Sequence, residues 1–209
     1  MSRPTVVLLH GLLRTQRSLR RLRQALDADG HPTWSCTYPS RELAVRDCAE
    51  YVRERLAEVP GPYVAVTHSM GAIVVRHLPE LPWRGAVMLA PPSQGSRIAA
   101  RLRHGRAFHW LYGPAGQDMG GPASWALPAC QAVVLVGTRK LSWSNPTSWL
   151  TVGLGMFPEG EPHDGTVAQV ESALPGVEPE PFDASHTWIM NHPAVIRRVR
   201  AAVDGFSSG

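Results

Sequence analysis

Short apolar runs alternate along this chain with longer stretches whose apolar residues recur every three or four positions. Residues 5–9 (TVVLL), 63–66 (YVAV), 85–89 (GAVML) and 131–136 (QAVVLV) are too short for helices and rich in apolar residues, so each predicts a buried strand, and residues 33–37 (TWSCT) read as a further short strand ended at Pro39. Residues 176–182 are a weaker sixth candidate. Between them, residues 15–29 carry Leu19, Leu22 and Leu26 at helical spacing and are closed by Gly30. Residues 41–58 place Ala44, Cys48, Val52 and Leu56 on one face, and Pro60 lies just past the end. A short helix is expected over 72–78, stopped by Pro79. A last one runs over 193–203, with Pro193 at its start and Val195, Ile196, Val199 and Val203 inward. Apolar strands alternating with amphipathic helices predict an α/β fold: a mostly parallel sheet of about six strands with helices on both faces.

Two segments break the alternation. Residues 91–129 hold Ile98, Leu102, Phe108, Trp110, Leu111, Tyr112, Met119 and Trp125, and residues 138–163 hold Trp143 and Trp149. Loops this long in a compact domain are usually functional or disordered, and their aromatic content argues against disorder. The expectation is one domain over residues 1–209, with 91–129 as a cap or lid insertion.

The stretch 63–75, YVAVTHSMGAIVV, is a strand, an abrupt turn centred on Ser69 and a helix. That is the arrangement of a nucleophile elbow, in which a strained turn raises a serine hydroxyl above the sheet. Gly71 and Ala72 supply the small residues such a crowded turn needs. Thr67 stands where the usual pattern has its first Gly. A serine also occurs as an ordinary helix N-cap.

A serine needs a base, and the base an orienting acid. In parallel sheets the working site lies at the carboxyl ends of the strands. Of nine histidines, His186 follows the last strand candidate and precedes the last helix, with His192 as the runner-up. His68 adjoins Ser69, and its side chain is expected to point away. His31, His77, His104 and His109 are expected on surface, helix or lid. For the acid, Asp164, Asp183, Asp118 and Asp204 are open. Asp164 is preferred because the order serine, acid, histidine then falls on Ser69, Asp164 and His186. An oxyanion needs two preorganised donors. The amide of Met70 is one, and the loop after the first strand, His10-Gly11-Leu12, points to the amide of Leu12 as the other. For His10 the alternative is a packed or hydrogen-bonded strand-end residue.

Five segments together resemble the α/β-hydrolase superfamily, in particular small serine esterases and lipases: VVLLHGLLRT (6–15), THSMG (67–71), LAPPSQGS (89–96), HDGTVAQVESALPG (163–176) and SHTWIM (185–190). The resemblance covers residues 5 to about 200. It implies the α/β-hydrolase fold and a serine hydrolase of carboxylic esters, working through an acyl-enzyme with no metal and no organic cofactor. It carries over as Ser69 nucleophile, His186 base, Asp164 acid, and an oxyanion hole at Leu12 and Met70. Thr67 and the long gap before Asp164 depart from the family pattern. An acyltransferase or thioesterase would use the same triad, and a non-catalytic binding protein on this fold is a further alternative.

Composition adds limits. A chain of 209 residues with 44% hydrophobic and 18% charged content has the make-up of a globular domain. No apolar run reaches 18 residues, so no transmembrane segment is expected, and the N-terminus does not read as a signal peptide. Three distant cysteines, Cys36, Cys48 and Cys130, read as free thiols in a reducing, cytoplasmic setting. Arg14, Arg17, Arg20, Arg21 and Arg23 crowd one segment. With no nucleic-acid motif beside them they read as a solvated helix face, so no nucleic-acid partner is expected. The expected partner is a small-molecule ester with an apolar acyl group, met by Trp110, Leu111 and Tyr112 as the bulkiest cluster of the cap.

Overall fold

The structure, a computed structural model, describes residues 3–121, 125–141 and 146–208. Trp143, the terminal Gly209 and part of the 91–129 segment (122–124) lie outside the described residues.

Six parallel strands form one sheet in the order β2-β1-β3-β4-β5-β6. They are β1 (Thr5–Leu9), β2 (Thr33–Ser35), β3 (Tyr63–His68), β4 (Trp83–Leu89), β5 (Ala132–Gly137) and β6 (Glu180–Phe182). The helices are α1 (Arg20–Ala28), α2 (Val45–Leu56), α3 (Gly71–Arg76), α4 (Arg97–Leu102), α5 (Arg106–Met119), α6 (Pro146–Gly153) and α7 (Pro193–Ser208). In register, Leu8 of β1 faces Val66 of β3, which faces Val87 of β4.

The period-2 alternation of a strand divides the core into two layers. Val7, Leu9 and Ala65 point to one face, where they pack with Cys48, Val52 and Leu56 of α2 and Ile73 of α3. Val6, Leu8, Val64 and Val66 point to the other, against Leu22 and Leu26 of α1 and Val195, Val199 and Val203 of α7. Strands buried on both faces explain why their sequences read as continuous apolar runs.

Element ends differ from expectation where capping or backbone pairing decides them. The predicted helix over 15–29 opens as a tight 3₁₀ turn, Gln16–Leu19, before α1. Residues 41–44 stay outside α2, whose first residue, Val45, donates its amide to the Asp118 carboxylate at 2.9 Å. The sixth strand is only three residues long. The segment between β4 and β5 holds two helices, α4 and α5, and α5 is broken at Gly113, ahead of Pro114. No helix among the described residues is long and apolar enough to cross a membrane.

The β5 end is packed to its limit. A Cβ added to Gly137 would stand 2.3 Å from the Ala184 carbonyl oxygen and 2.8 Å from the Asp164 Cβ. Gly137→Ala must therefore push apart the two loops that carry Asp164 and His186. It is expected to cost about 1–3 kcal/mol by overpacking, read as a lower urea midpoint. A wild-type midpoint would show that the loops yield freely.

Candidate functional site

The candidate site lies at the carboxyl ends of β1, β3, β5 and β6. Ser69 follows β3 directly, with φ 51°. This left-handed region is uncommon for a residue with a Cβ. Its amide donates to the Leu89 carbonyl at 2.8 Å, which ties the turn to the end of β4. The turn leaves no room on its flanks. A Cβ on Gly71 would approach the Leu9 carbonyl oxygen to 2.6 Å, and one on Gly11 would approach His68 Nδ1 to 2.8 Å. Thr67, by contrast, is an ordinary strand residue facing Leu9 and Met88. No left-handed backbone is required there, so a Thr fits.

His186 sits in the turn after β6, with Nε2 3.1 Å from Ser69 Oγ. Its Nδ1 is 2.7 Å from Asp164 Oδ2. A carboxylate accepts, so Nδ1 carries the proton and donates, and Nε2 is left as acceptor for the serine hydroxyl. The other carboxylate oxygen, Oδ1, accepts the amides of Thr166 at 2.9 Å and Val167 at 2.7 Å. The His186 amide in turn donates to the Asp164 carbonyl at 3.1 Å. Ser69 and His186 are each 7% exposed and Asp164 1%.

The acid-bearing loop is anchored from behind. Buried Glu171 accepts the amides of Ala168 and of Arg97 at the start of α4, both at 2.6 Å. Burial pushes its carboxyl up from the ordinary range. Arg97 itself holds Glu161 through two contacts of 2.7 Å.

Leu12, in the loop after β1, lines the cavity beside Ser69, and Met70 is the residue after Ser69 with its side chain fully buried. Among the described residues neither amide donates a backbone hydrogen bond. His10 fixes this loop. Its Nε2 accepts the Tyr38 amide at 3.2 Å, so Nδ1 carries the proton and donates to the Gly11 carbonyl at 2.8 Å. The ring stacks on Tyr38 at 4.0 Å, and the Tyr38 hydroxyl donates to the His10 carbonyl. Burial pushes His10 down to about 4.

Several expectations change. His68 does not point away from the site: it lines the cavity, and its Nε2 donates to the His186 carbonyl at 3.0 Å. Burial, followed by the neighbouring His186 and Arg14, holds it well below the ordinary histidine range and hence neutral. Sequence reasoning missed this contact because it joins residues 118 positions apart. His31 is buried against the Asp204 carboxylate at 2.9 Å rather than lying on the surface. Asp183 is exposed and paired with Arg139, and Asp118 accepts from Val45, so neither meets His186.

A cavity of about 250 Å³ opens onto Ser69 and His186. Its apolar wall is Leu12, Leu13, Ile98, Phe108, Tyr112 and Met119. Arg14, Ser96, Thr166 and Thr187 are its polar positions beyond the site itself. Of the three cap residues expected at the acyl chain, only Tyr112 reaches it. Trp110 is 73% exposed on the outer side of α5, under the Arg41 guanidinium at 5.2 Å, and Leu111 is 40% exposed. The reason is helical periodicity: Phe108 and Tyr112, four apart, share the inward face with ring centroids 4.6 Å apart. Trp110 and Leu111 lie off that face. Among the described residues no group of three or more His, Cys, Asp or Glu could hold a metal ion.

No family model matches the chain, and no curated protein matches it in sequence. Among solved structures it is similar to the Bacillus licheniformis lipase BlEst2 in its propeptide form, with TM-score 0.68 and 16% identity over 95% of this chain and 50% of that one. It is similar to mouse α/β hydrolase domain-containing protein 10, with TM-score 0.63 and 13% identity over 98% and 90%. The type II thioesterase YbtT of the yersiniabactin pathway gives TM-score 0.56 and 16% identity over 99% and 95%. The chain has the α/β-hydrolase fold. It spans half the length of the lipase, and at these identities the likeness concerns the fold. In chain order, Ser69 lies in the β3–α3 turn, the loop after β1 flanks it, and Asp164 and His186 lie in the segments after β5 and β6.

The buried histidines set a pH limit on stability. His10 falls from 6.5 to about 4 on folding, so below pH 6.5 the unfolded chain binds the extra proton first. This contribution is full above about 6.5 and is lost as the pH falls toward 4, by ~2 kcal/mol at pH 5. His68 shifts the same way. Urea unfolding at pH 7.5 and 5.0 is expected to show the loss, and His10→Asn a smaller one. A stability equal at both pH values would contradict a neutral, buried His10.

Proposed function

We propose that this chain is a serine hydrolase of carboxylic esters. The observation that carries the reading is the run of hydrogen bonds Ser69 Oγ–His186 Nε2–Nδ1–Asp164 at the floor of an apolar cavity. Ser69 is the nucleophile. His186 takes its proton as Oγ attacks the carbonyl carbon, and Asp164 holds the imidazole in the right tautomer and stabilises the imidazolium. The charge that develops on the carbonyl oxygen is met by the amides of Met70 and Leu12. His186 then gives its proton to the leaving alkoxide, which leaves an acyl group on Ser69. Water, deprotonated by His186, releases the acid and restores the serine. A thioester would pass through the same steps, and the likeness to a thioesterase supports including thioesters among test substrates.

The 91–129 segment acts as a cap over the site, and its inward side chains, with Leu12 and Leu13, form the acyl pocket. At about 250 Å³ the cavity falls below the usual range for drug-sized ligands, which supports short to medium acyl groups. A cytoplasmic setting belongs to the same reading. Cys36, Cys48 and Cys130 are free, and burial pushes their thiols up to about 11, 12 and 11, away from reactive thiolates.

Kinetics on a series of p-nitrophenyl esters from acetate to octanoate tests this. Ser69→Ala is expected to lower kcat by roughly 10³-fold or more with an unchanged melting temperature, and Asp164→Asn by a comparable factor through the wrong imidazole tautomer. Undiminished hydrolysis in Ser69→Ala would overturn the assignment. In the same series Tyr112→Ala should lower kcat/KM for hexanoate roughly tenfold and for acetate far less, because methylene contacts discriminate by about 1–3 kcal/mol. Trp110→Ala should alter neither. A chain-length shift in Trp110→Ala would return the pocket to the outer face of α5.

A further inference from the structure

Arg14 was grouped by sequence with four other arginines of one basic segment. The structure separates it from them. Arg17, Arg20, Arg21 and Arg23 are exposed. Arg14 is half-buried and lines the cavity together with Ser69 and His68. Its backbone is locked, since its amide donates to the Gly11 carbonyl at 3.2 Å and Leu13 before it has φ 58°.

Arg97, Arg198 and Arg200 each hold a carboxylate. Buried Arg76 donates to the carbonyls of Ser93 and Trp125. Among the described residues Arg14 makes no ion pair and no side-chain hydrogen bond, and burial lowers it from the ordinary arginine range. Among the described residues no Asp or Glu lines the cavity. A cation withdrawn from water without a partner is costly, and a chain that keeps one in a ligand cavity gains from it when a ligand brings the counter-charge. A guanidinium suits carboxylate and phosphate oxygens, which it can hold through two parallel hydrogen bonds.

We infer that Arg14 is an anion-recognition residue, and that the natural substrate is an ester or thioester bearing a carboxylate or phosphate that docks on Arg14 while its acyl carbon lies at Ser69. This rests on the hydrolase reading for the second half of the statement only. The fixed charge gives the otherwise apolar cavity an orientation: the substrate enters with one charged end toward the loop after β1 and one apolar portion toward Phe108 and Tyr112.

Two matched pairs test it and tell the two sources of charge apart. On the acyl side, the mono-p-nitrophenyl ester of glutarate is compared with p-nitrophenyl pentanoate. On the alcohol side, 1-hexanoylglycerol 3-phosphate is compared with 1-hexanoylglycerol. At least one anionic member should exceed its neutral twin about tenfold or more in kcat/KM. Arg14→Met should abolish that ratio, and Arg14→Lys should retain part of it. Ratios near one in both pairs, or a ratio unchanged in Arg14→Met, would overturn the inference. Calorimetric binding of 1-O-hexylglycerol 3-phosphate against 1-O-hexylglycerol, neither of which has an ester to cleave, keeps the tests separate. If no ester is cleaved but the phosphate binds at least tenfold tighter than the alcohol, and only with Arg14 present, the hydrolase reading fails and Arg14 stands. Equal binding of the two ethers, together with no anionic preference in the glutarate pair, removes Arg14 as an anion site.

Discussion

The left-handed backbone at Ser69 is the constraint on which the rest of this structure depends. A non-glycine residue at φ 51° costs on the order of 1–3 kcal/mol and persists only where its surroundings over-determine it. Here the surroundings are the Leu89 carbonyl that receives the Ser69 amide and the strand β1 that crowds Gly71. Straightening the turn would break the first and drive α3 into the second. The hydroxyl is consequently held above the sheet edge by a fully buried core on both faces. Its position is set by packing on β1, β3 and β4.

Around that fixed point the other groups are held by backbone rather than by exposed ion pairs. Asp164 is gripped by two amides, His186 is gripped through its own amide and through its carbonyl by His68, and Glu171 pins the acid loop to α4. Most of these contacts are buried and the rest are part-buried, and in such surroundings a hydrogen bond is strong and a missing partner expensive. His10 and His68 stay neutral for the same reason, and both serve as rigid donors in the frame. Beside this frame the Arg14 guanidinium lines the cavity and, among the described residues, makes no ion pair, which is the basis for assigning it to a ligand's counter-charge.

The sheet was legible because a two-sided buried strand has no choice but to be apolar: β1, β3, β4 and β5 all announce themselves as Val- and Leu-rich runs. The elbow was legible because Ser69 stands between such a run and a helix with small neighbours. Ser69, Asp164 and His186 were singled out by their order along the chain, and in the structure His186 lies within hydrogen-bond reach of both Ser69 and Asp164. The 91–129 segment was less legible. Bulk alone pointed to Trp110 and Leu111, whereas the direction of a helical side chain is fixed by its phase, which places Phe108 and Tyr112 inward. The break at Gly113 further hides that phase from a simple periodicity count. The His68–His186 contact and the burial of His31 on Asp204 join residues more than a hundred positions apart, and no local pattern could carry them. Arg14 was misread because neighbouring charges in sequence diverge in space once Leu13 turns the loop.

The central claim is that the hydroxyl of Ser69 is activated as a nucleophile by its strained turn and by His186. The most direct measurement is mass spectrometry of the intact and digested protein after brief exposure to a fluorophosphonate ester. The account predicts one covalent adduct per chain, on the peptide containing Ser69, and none in His186→Ala under the same brief exposure. An unmodified Ser69, or an adduct on another residue that persists in Ser69→Ala, would contradict it.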